Sequence, residues 1–418
     1  MSLKRPRSDS DSADDTNRSC SKRVNDESDD PLSRLFRLSD FTSLNLSQDV
    51  ISQFSAIAEI LLNEVQLQIT SAQASQTSTK TPAPDVGNYK LLEVEFYLWK
   101  DGSHEDPFTH GSEQQKHSGR WYFHRAPTKA TGTSSSFGSR KATAAGGYRG
   151  GTRKGLDLTF GSPMVQRPTS KVASHYFPTP QNESARNKTP ALQAVDIRGG
   201  ILLRTMRRVS DNKVISGPSL LVDEILRVSG ASSIATLVNE MLSSDTMAWS
   251  SPSRANSTRT SLQLVPITKT TLSSNQPKTH IYSSPRIGLD LSHSSIPVPT
   301  AAADTERTLK HPRLSFLARP YRYFVHPELL TANGRGHTFY GVYRSLTTSE
   351  EHSETKLKRE LVRVTDLKPN TVDKYLKEYL ESVKEGCIKD FIGQKGKGAG
   401  SNPVTALSMF GTLKLNGL

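Results

Sequence analysis

The run Leu91–Trp99, LLEVEFYLW, constrains the fold of this chain more than any other segment. Leu92, Val94, Phe96 and Leu98 alternate with Glu93, Glu95, Tyr97 and Trp99. A period of two is that of an extended strand, whose side chains point to opposite faces. One face is apolar and has to pack on a core. The other presents two carboxylates beside two aromatic rings. Shorter runs of strand character follow at 119–125 (GRWYFHR), in the second half of 148–161 (YRGGTRKGLDLTFG) and at 198–209 (RGGILLRTMRRV). In the last of these, alternation places Leu202, Arg204 and Met206 on one face. An arginine between apolar neighbours belongs either at an exposed edge or in the interior with a partner. PRIGLDL (285–291) and PYRYFV (320–325) read as late strands.

Helical periodicity marks 47–66, where Val50, Phe54, Ile57, Ile60 and Leu61 share a stripe behind Ser47 as N-cap. It also marks 217–229, with Pro218 at the first helical position, and 232–243. Residues 368–390 form a charged amphipathic helix. Strands and helices share one compact region, read as an α+β fold. Ser-, Thr-, Gly- and Pro-rich stretches (71–86, 126–147, 250–280) interrupt the pattern as polar, disordered insertions.

Across 418 residues, 54 Lys and Arg stand against 41 Asp and Glu, a formal net charge of +13. Such a balance favours polyanionic partners, nucleic acid first and acidic membrane surfaces second. No apolar run approaches the roughly 18 residues of a membrane span, and the N-terminus lacks the apolar stretch of a signal peptide. Two cysteines, Cys20 and Cys387, exclude a disulfide framework or a thiolate metal cluster and fit a reducing compartment. Within 1–30, the clusters Lys4, Arg5, Arg7 and Lys22, Arg23 flank a Ser/Asp/Glu spacer in the manner of a bipartite nuclear import signal. The expected location is the nucleus, with the import machinery as a partner. Ser8, Ser10 and Ser12 are candidate phosphate acceptors.

Three sets of residues carry candidate chemistry. Glu95 with Tyr97, His110 and Arg204 has the composition of a water-activating carboxylate, a basic partner and walls for a flat base. The loop YRGGTRKG (148–155) offers backbone N–H groups with Arg149, Arg153 and Lys154 for phosphate. It is not a Walker loop, because Leu156 stands where lysine is required. His104, His110, His117 and His124, with Glu105 and Asp106, have metal-ligand types but no HExxH spacing, and no metal or cofactor is expected. Cys387 has no histidine-partner motif, and neither GxSxG nor a dinucleotide fingerprint occurs.

In the order SQDVISQFSAIAEILLNEV, EVEFYL (93–98), EDPFTHGS (105–112), ILLRTM (201–206), GPSLL (217–221), PRIGLDL and PYRYFV, the chain resembles the alkyladenine (3-methyladenine) DNA glycosylase family. The resemblance spans about 45–325 in short islands. It implies a curved, mainly antiparallel sheet flanked by helices. It further implies that Glu95 activates water, that Arg204 partners it, and that Tyr97, His110 and Asp157 surround an extruded base. The family has asparagine where Asp157 stands. Of the family's tyrosines that close the pocket and wedge into the duplex, only Tyr148 has a counterpart, and it aligns with neither. The implied organisation is a tail (1–44), a glycosylase-like domain (45–345) and a helical extension (346–418). The implied activity is hydrolysis of the N-glycosidic bond of a damaged or modified purine by a monomeric, DNA-binding protein, with RNA as the other polymer. Two alternatives stay open: a non-catalytic nucleic-acid-binding module on the same fold, and an enzyme acting on a small nucleotide or nucleoside.

Overall fold

Strand β2, Asp85–Lys100, is the spine to which the remaining sheet is attached. In this computed structural model the residues described are 30–42, 47–71, 85–125, 154–161, 196–249, 260–267, 278–349 and 353–418, apart from 290, 294, 301, 394–395 and 398–401. The basic clusters of the tail and Arg149 and Arg153 lie outside them. On one edge β2 pairs along most of its length with β6 (Ile197–Arg208), which pairs with β5 (Lys154–Thr159) and then β4 (Trp121–Arg125). On its other edge, β1 (Val65–Ser71) takes residues 85–89 and β10 (Arg322–Phe324) takes 93–95. β8 (Ser261–Pro266) extends β1, and β9 (Tyr282–Ser284) extends β10. Two short strands, β3 (His104–Glu105) and β7 (Val214–Ser216), pair with β2 and β6. Every pairing is antiparallel, and the sheet curls into a half-barrel.

The sheet forks where the register of β2 shifts, between Leu91 and Glu93 and again between Glu93 and Val94. Bulges increase local twist and bend a strand, so the two halves of the β2 edge diverge. The shift also changes faces on β6. Thr205, not Arg204, pairs with Glu93, and Met206 pairs with Leu91 inside the apolar core. Met206 therefore does not share the face of Leu202 and Arg204, as strict alternation had implied.

Helix α1 (Pro31–Leu38) lies within the expected tail. Helix α2 (Ser47–Glu59), prolonged by a π-type turn over Ile60–Glu64, covers the apolar face of β2. Phe54 stacks on Phe96 with centroids 4.4 Å apart and meets Tyr321 edge-on at 5.0 Å, while Phe41 lies 4.8 Å from Phe160. Helix α3 (Pro218–Ser229) begins at Pro218 as its sequence predicts and packs on β5 and β6.

Several expectations are revised. The helical pattern of 47–66 yields to strand β1 at Val65, where VQLQITS alternates buried and half-buried residues. Within 250–280, SLQLVP forms β8 because its leucines are buried among polar neighbours. Residues 285–291 are not a strand. Pro285 cannot donate to a ladder, Gly288 takes φ 80°, and the strand lies just before them as β9. The π-type turn Thr236–Met241 replaces part of the helix expected at 232–243.

After α4 (Ala302–Leu309) and α5 (Pro312–Leu317), four helices complete the chain: α6 (Arg335–Ser349), α7 (Glu354–Thr365), α8 (Pro369–Glu385) and α9 (Pro403–Leu415). α6 runs across the boundary expected at 345. α9 is apolar nearly all round and is buried, with Phe410 stacked on Tyr340 at 4.9 Å. A Cβ on Gly411 would fall 2.5 Å from the Tyr379 carbonyl, so glycine lets α9 cross α8 closely. These helices share one hydrophobic core with the sheet. Among the described residues no helix is long and apolar enough to cross a membrane.

Because Phe54 is fully buried at the junction of helix, sheet and the Tyr321 segment, Phe54→Ala is expected to cost about 3–5 kcal/mol of stability. Denaturant unfolding followed by circular dichroism measures this.

Candidate active site

The face of β2 turned away from α2 carries the carboxylates. Register places Arg322, Glu95, Leu202, Asp157 and Tyr122 in one cross-strand row over β10, β2, β6, β5 and β4. Residues directly opposite in a ladder share a face, so five distant segments converge there.

Arg204 sits at the shift in β6 and bridges both glutamates. Its Nε donates to Glu93 Oε1 at 3.2 Å and its Nη1 to Glu95 Oε2 at 3.1 Å. Tyr97 donates its hydroxyl to the same Glu95 oxygen at 3.0 Å, and the Ile287 N–H reaches Glu95 Oε1 at 2.6 Å. Glu93 accepts from Arg322 Nε at 2.6 Å and from Thr205 Oγ1 at 2.5 Å. Arg322 also donates to Ser284 and, across to α6, to Thr338, both at 2.9 Å. Arg286 grips Asp106 with two bonds, at 2.5 and 3.2 Å, and lies 4.5 Å from the centre of the Tyr97 ring.

All six ions are buried: Glu93, Glu95 and Asp106 against Arg204, Arg286 and Arg322, each at most 7% exposed. The cluster is charge-balanced. Burial opposes ionisation of Glu93, but the Arg322 and Arg204 guanidiniums hold its carboxyl below the usual range. Burial, then the Glu95 charge, pushes the Tyr97 phenol well above its usual value, so it stays a donor. His337 on α6 faces the same cluster. Burial and the charges of Arg322 and Arg204 drive its imidazole down to about 3, and its Nε2 has no hydrogen-bond partner among the described residues.

Across Leu202 lies the second half of the row. Asp157, 2% exposed, accepts from Gln115 Nε2 at 3.2 Å and from His124 Nε2 at 3.2 Å. The structure thus brings Glu95, Arg204 and Tyr97 into direct contact and puts Asp157 on the same face, two strands away. His110 does not join Tyr97 in a buried wall. It is exposed at the rim, its ring 4.8 Å from that of His124. Lys154 is paired with Asp223 of α3, and its backbone N–H is bonded to Ser219 at 2.9 Å. His104 is a core residue, held between the Leu98 carbonyl and the Tyr321 hydroxyl, and burial lowers its pKa. Among the described residues no cluster of three or more His, Cys, Asp or Glu has the arrangement to hold a metal ion.

Sequence reasoning missed Arg286, Arg322 and Asp106 as site residues, and His124 as the partner of Asp157. Arg286 and Arg322 carried the signal that singled out Arg204, a lone arginine in an apolar run. Asp106 and His124 stood out only by residue type, in the set weighed for metal, and nothing in the sequence paired them with Arg286 and Asp157.

No family model and no solved structure matches the chain. Over 138 residues, 33% of its length, the chain is 27% identical to an uncharacterized protein of Acanthamoeba polyphaga mimivirus. That stretch is 47% of the mimivirus protein, so the chain spans about half the length of this relative.

Two outcomes follow from the buried charges. Arg322→Met leaves Glu93 short of a counter-ion and is expected to cost about 3–5 kcal/mol. Adding Glu93→Gln recovers part of that loss in denaturant titrations. The unfolded chain protonates His337 below roughly pH 6.5, whereas the folded chain does so only near pH 3. Stability is therefore lost as pH falls through that window, at about 1.4 kcal/mol per pH unit from this group. His337→Phe is expected to flatten the slope of unfolding free energy against pH by that amount.

Proposed function

We propose that the chain is a nuclear nucleic-acid protein that hydrolyses the N-glycosidic bond of a damaged or modified purine. The observation that carries this reading is the contact of Glu95 with Arg204, 109 residues away in sequence, and with Tyr97, two residues away, in the combination the glycosylase resemblance implies. A carboxylate has about four acceptor positions. Glu95 uses three, leaving one for a water. Glu95 takes a proton from that water, whose oxygen attacks the anomeric carbon, and its negative charge faces the cationic sugar that develops as the bond breaks. Arg204 and the Tyr97 hydroxyl hold the carboxylate in place. Removal of the base from the stack brings the bond to the site. The net charge of +13 supports a polyanionic substrate, with DNA favoured over RNA. The basic clusters near the N-terminus support import into the nucleus.

Glu95→Gln is isosteric and keeps one acceptor. It is expected to slow base release from oligonucleotides carrying modified purines at least 100-fold, in the range set by loss of a general base (about 10²–10⁴), with duplex binding retained. Unchanged release in the variant, or none in the wild type, overturns the reading.

The complete burial of Glu95 favours a second reading. In it the carboxylate is an ion-pair partner within a rigid core, and the chain binds nucleic acid without cleaving it. Binding then falls steeply with salt while no base is released, which a filter-binding titration beside the release assay measures.

A further inference from the structure

Half of the sheet has an open face. Where β8, β1, the first residues of β2 and the ends of β6 and β7 meet, Leu67, Tyr89, Leu91 and Met206 point into the core. Alternate residues therefore point the other way, and on every one of these strands they are half-buried or exposed. The cover that α6 and the turn after β9 give to Glu93 and Glu95 stops short of Asn88 and Lys90. Register lines up Gln263, Gln68 and Asn88 in one row, where Gln68 donates to Asn88 Oδ1 at 3.1 Å. Lys90, Arg207 and Val214 form another, with Lys213 exposed beside it. The other positions of the face are Gln, Thr, Ser and Val, without a carboxylate. Lys90 and Arg207 stand directly opposite each other, where like charges repel across a ladder. Among the described residues neither they nor the Lys213 ammonium has an ion-pair partner. Asp211, in the turn between β6 and β7, is engaged by Arg208 at 2.8 Å and by the Lys213 backbone N–H at 3.0 Å. Arg207 lies two residues beyond Thr205 on β6, so the open face continues the one on which Thr205 meets Glu93.

Amide and hydroxyl side chains together with lysine and arginine are the groups that bond phosphate oxygens. From β8 through β1, β2 and β6 to β7 the face crosses four ladder steps, about 19 Å at roughly 4.8 Å each. That is the rise of about five to six stacked base pairs at 3.4 Å. These positions carry no aromatic ring, so they offer no platform on which unpaired bases could stack. A partner with regularly spaced phosphates outside and its bases turned inward matches both observations. We propose that this open half of the sheet docks the phosphate backbone of duplex nucleic acid, without regard to sequence. A phosphate between Lys90 and Arg207 relieves their repulsion. The proposal rests on the nucleic-acid part of the reading above and not on hydrolysis by Glu95.

The test is a salt titration of the full chain binding short labelled DNA duplexes, followed by fluorescence anisotropy. Lys90→Gln, Arg207→Gln and Lys213→Gln together are expected to flatten the slope of log affinity against log salt by about 2–3, equally for duplexes of different sequence. Gln68→Glu adds a carboxylate to the face and removes no cation, and is expected to weaken binding about fivefold at low salt. The control changes Lys374, Lys377 and Lys384 of α8, all exposed, to Gln. It alters net charge by the same amount and is expected to move the slope by less than about 1. In denaturant titrations the Lys90/Arg207/Lys213 variant should unfold no earlier than the wild type, because it loses a like-charge pair. An unchanged slope in that variant, or an equal change in the α8 control, overturns the proposal. So does a wild-type chain that binds phosphatidylserine vesicles but no duplex, which assigns the face to membranes. Duplex binding without base release removes the hydrolytic reading and leaves the docking surface. Base release with an unchanged slope in the variant removes the surface alone.

Discussion

The bridge from Arg204 to Glu93 and Glu95 is the interaction on which the site and much of the sheet depend. Two carboxylates two residues apart on one strand face would repel if buried together. Arg204 lies between them because β6 shifts register by one residue at that point, and Arg322 closes the outer side of Glu93. An ion removed from water is tolerable only with matched partners. Each member of the cluster therefore requires the others. Arg322 recruits α6 through Thr338, and Glu95 recruits the turn after β9 through the Ile287 N–H.

This chain of dependence makes the C-terminal helices part of the site rather than an appendage. His337 and Thr338 of α6 back the ion cluster, and α6 is in turn held by α9, whose Phe410 meets His337 edge-on at 5.0 Å. The neutral state of His337 belongs to the same balance. A charged imidazole there would add a fourth cation to three arginines and three carboxylates.

The curved sheet separates two chemistries on one face. On the β2 side, a carboxylate is pinned by arginine and phenol. On the β5 side, a second carboxylate holds an imidazole at the rim. Leu202 lies between them, apolar and 9% exposed.

The sequence by itself determined that 91–99 is a strand with one apolar and one ionic face, that α2 and α3 are helices, and that Glu95, Tyr97 and Arg204 are the residues to watch. These follow from period, capping and the oddity of a charge in an apolar run, all local signals. Only the tertiary structure decided that both faces of β2 are covered, because α2 takes one while the β9 turn and α6 take the other. It also decided the register shift that sets Thr205 opposite Glu93 and sends Met206 inward, the pairing of Asp106 with Arg286 across 180 residues, and the position of His110 at the rim beside His124. A one-residue shift in a ladder leaves no mark on composition or period, and the partner of a buried ion is fixed by which strands meet rather than by what lies beside it in the chain.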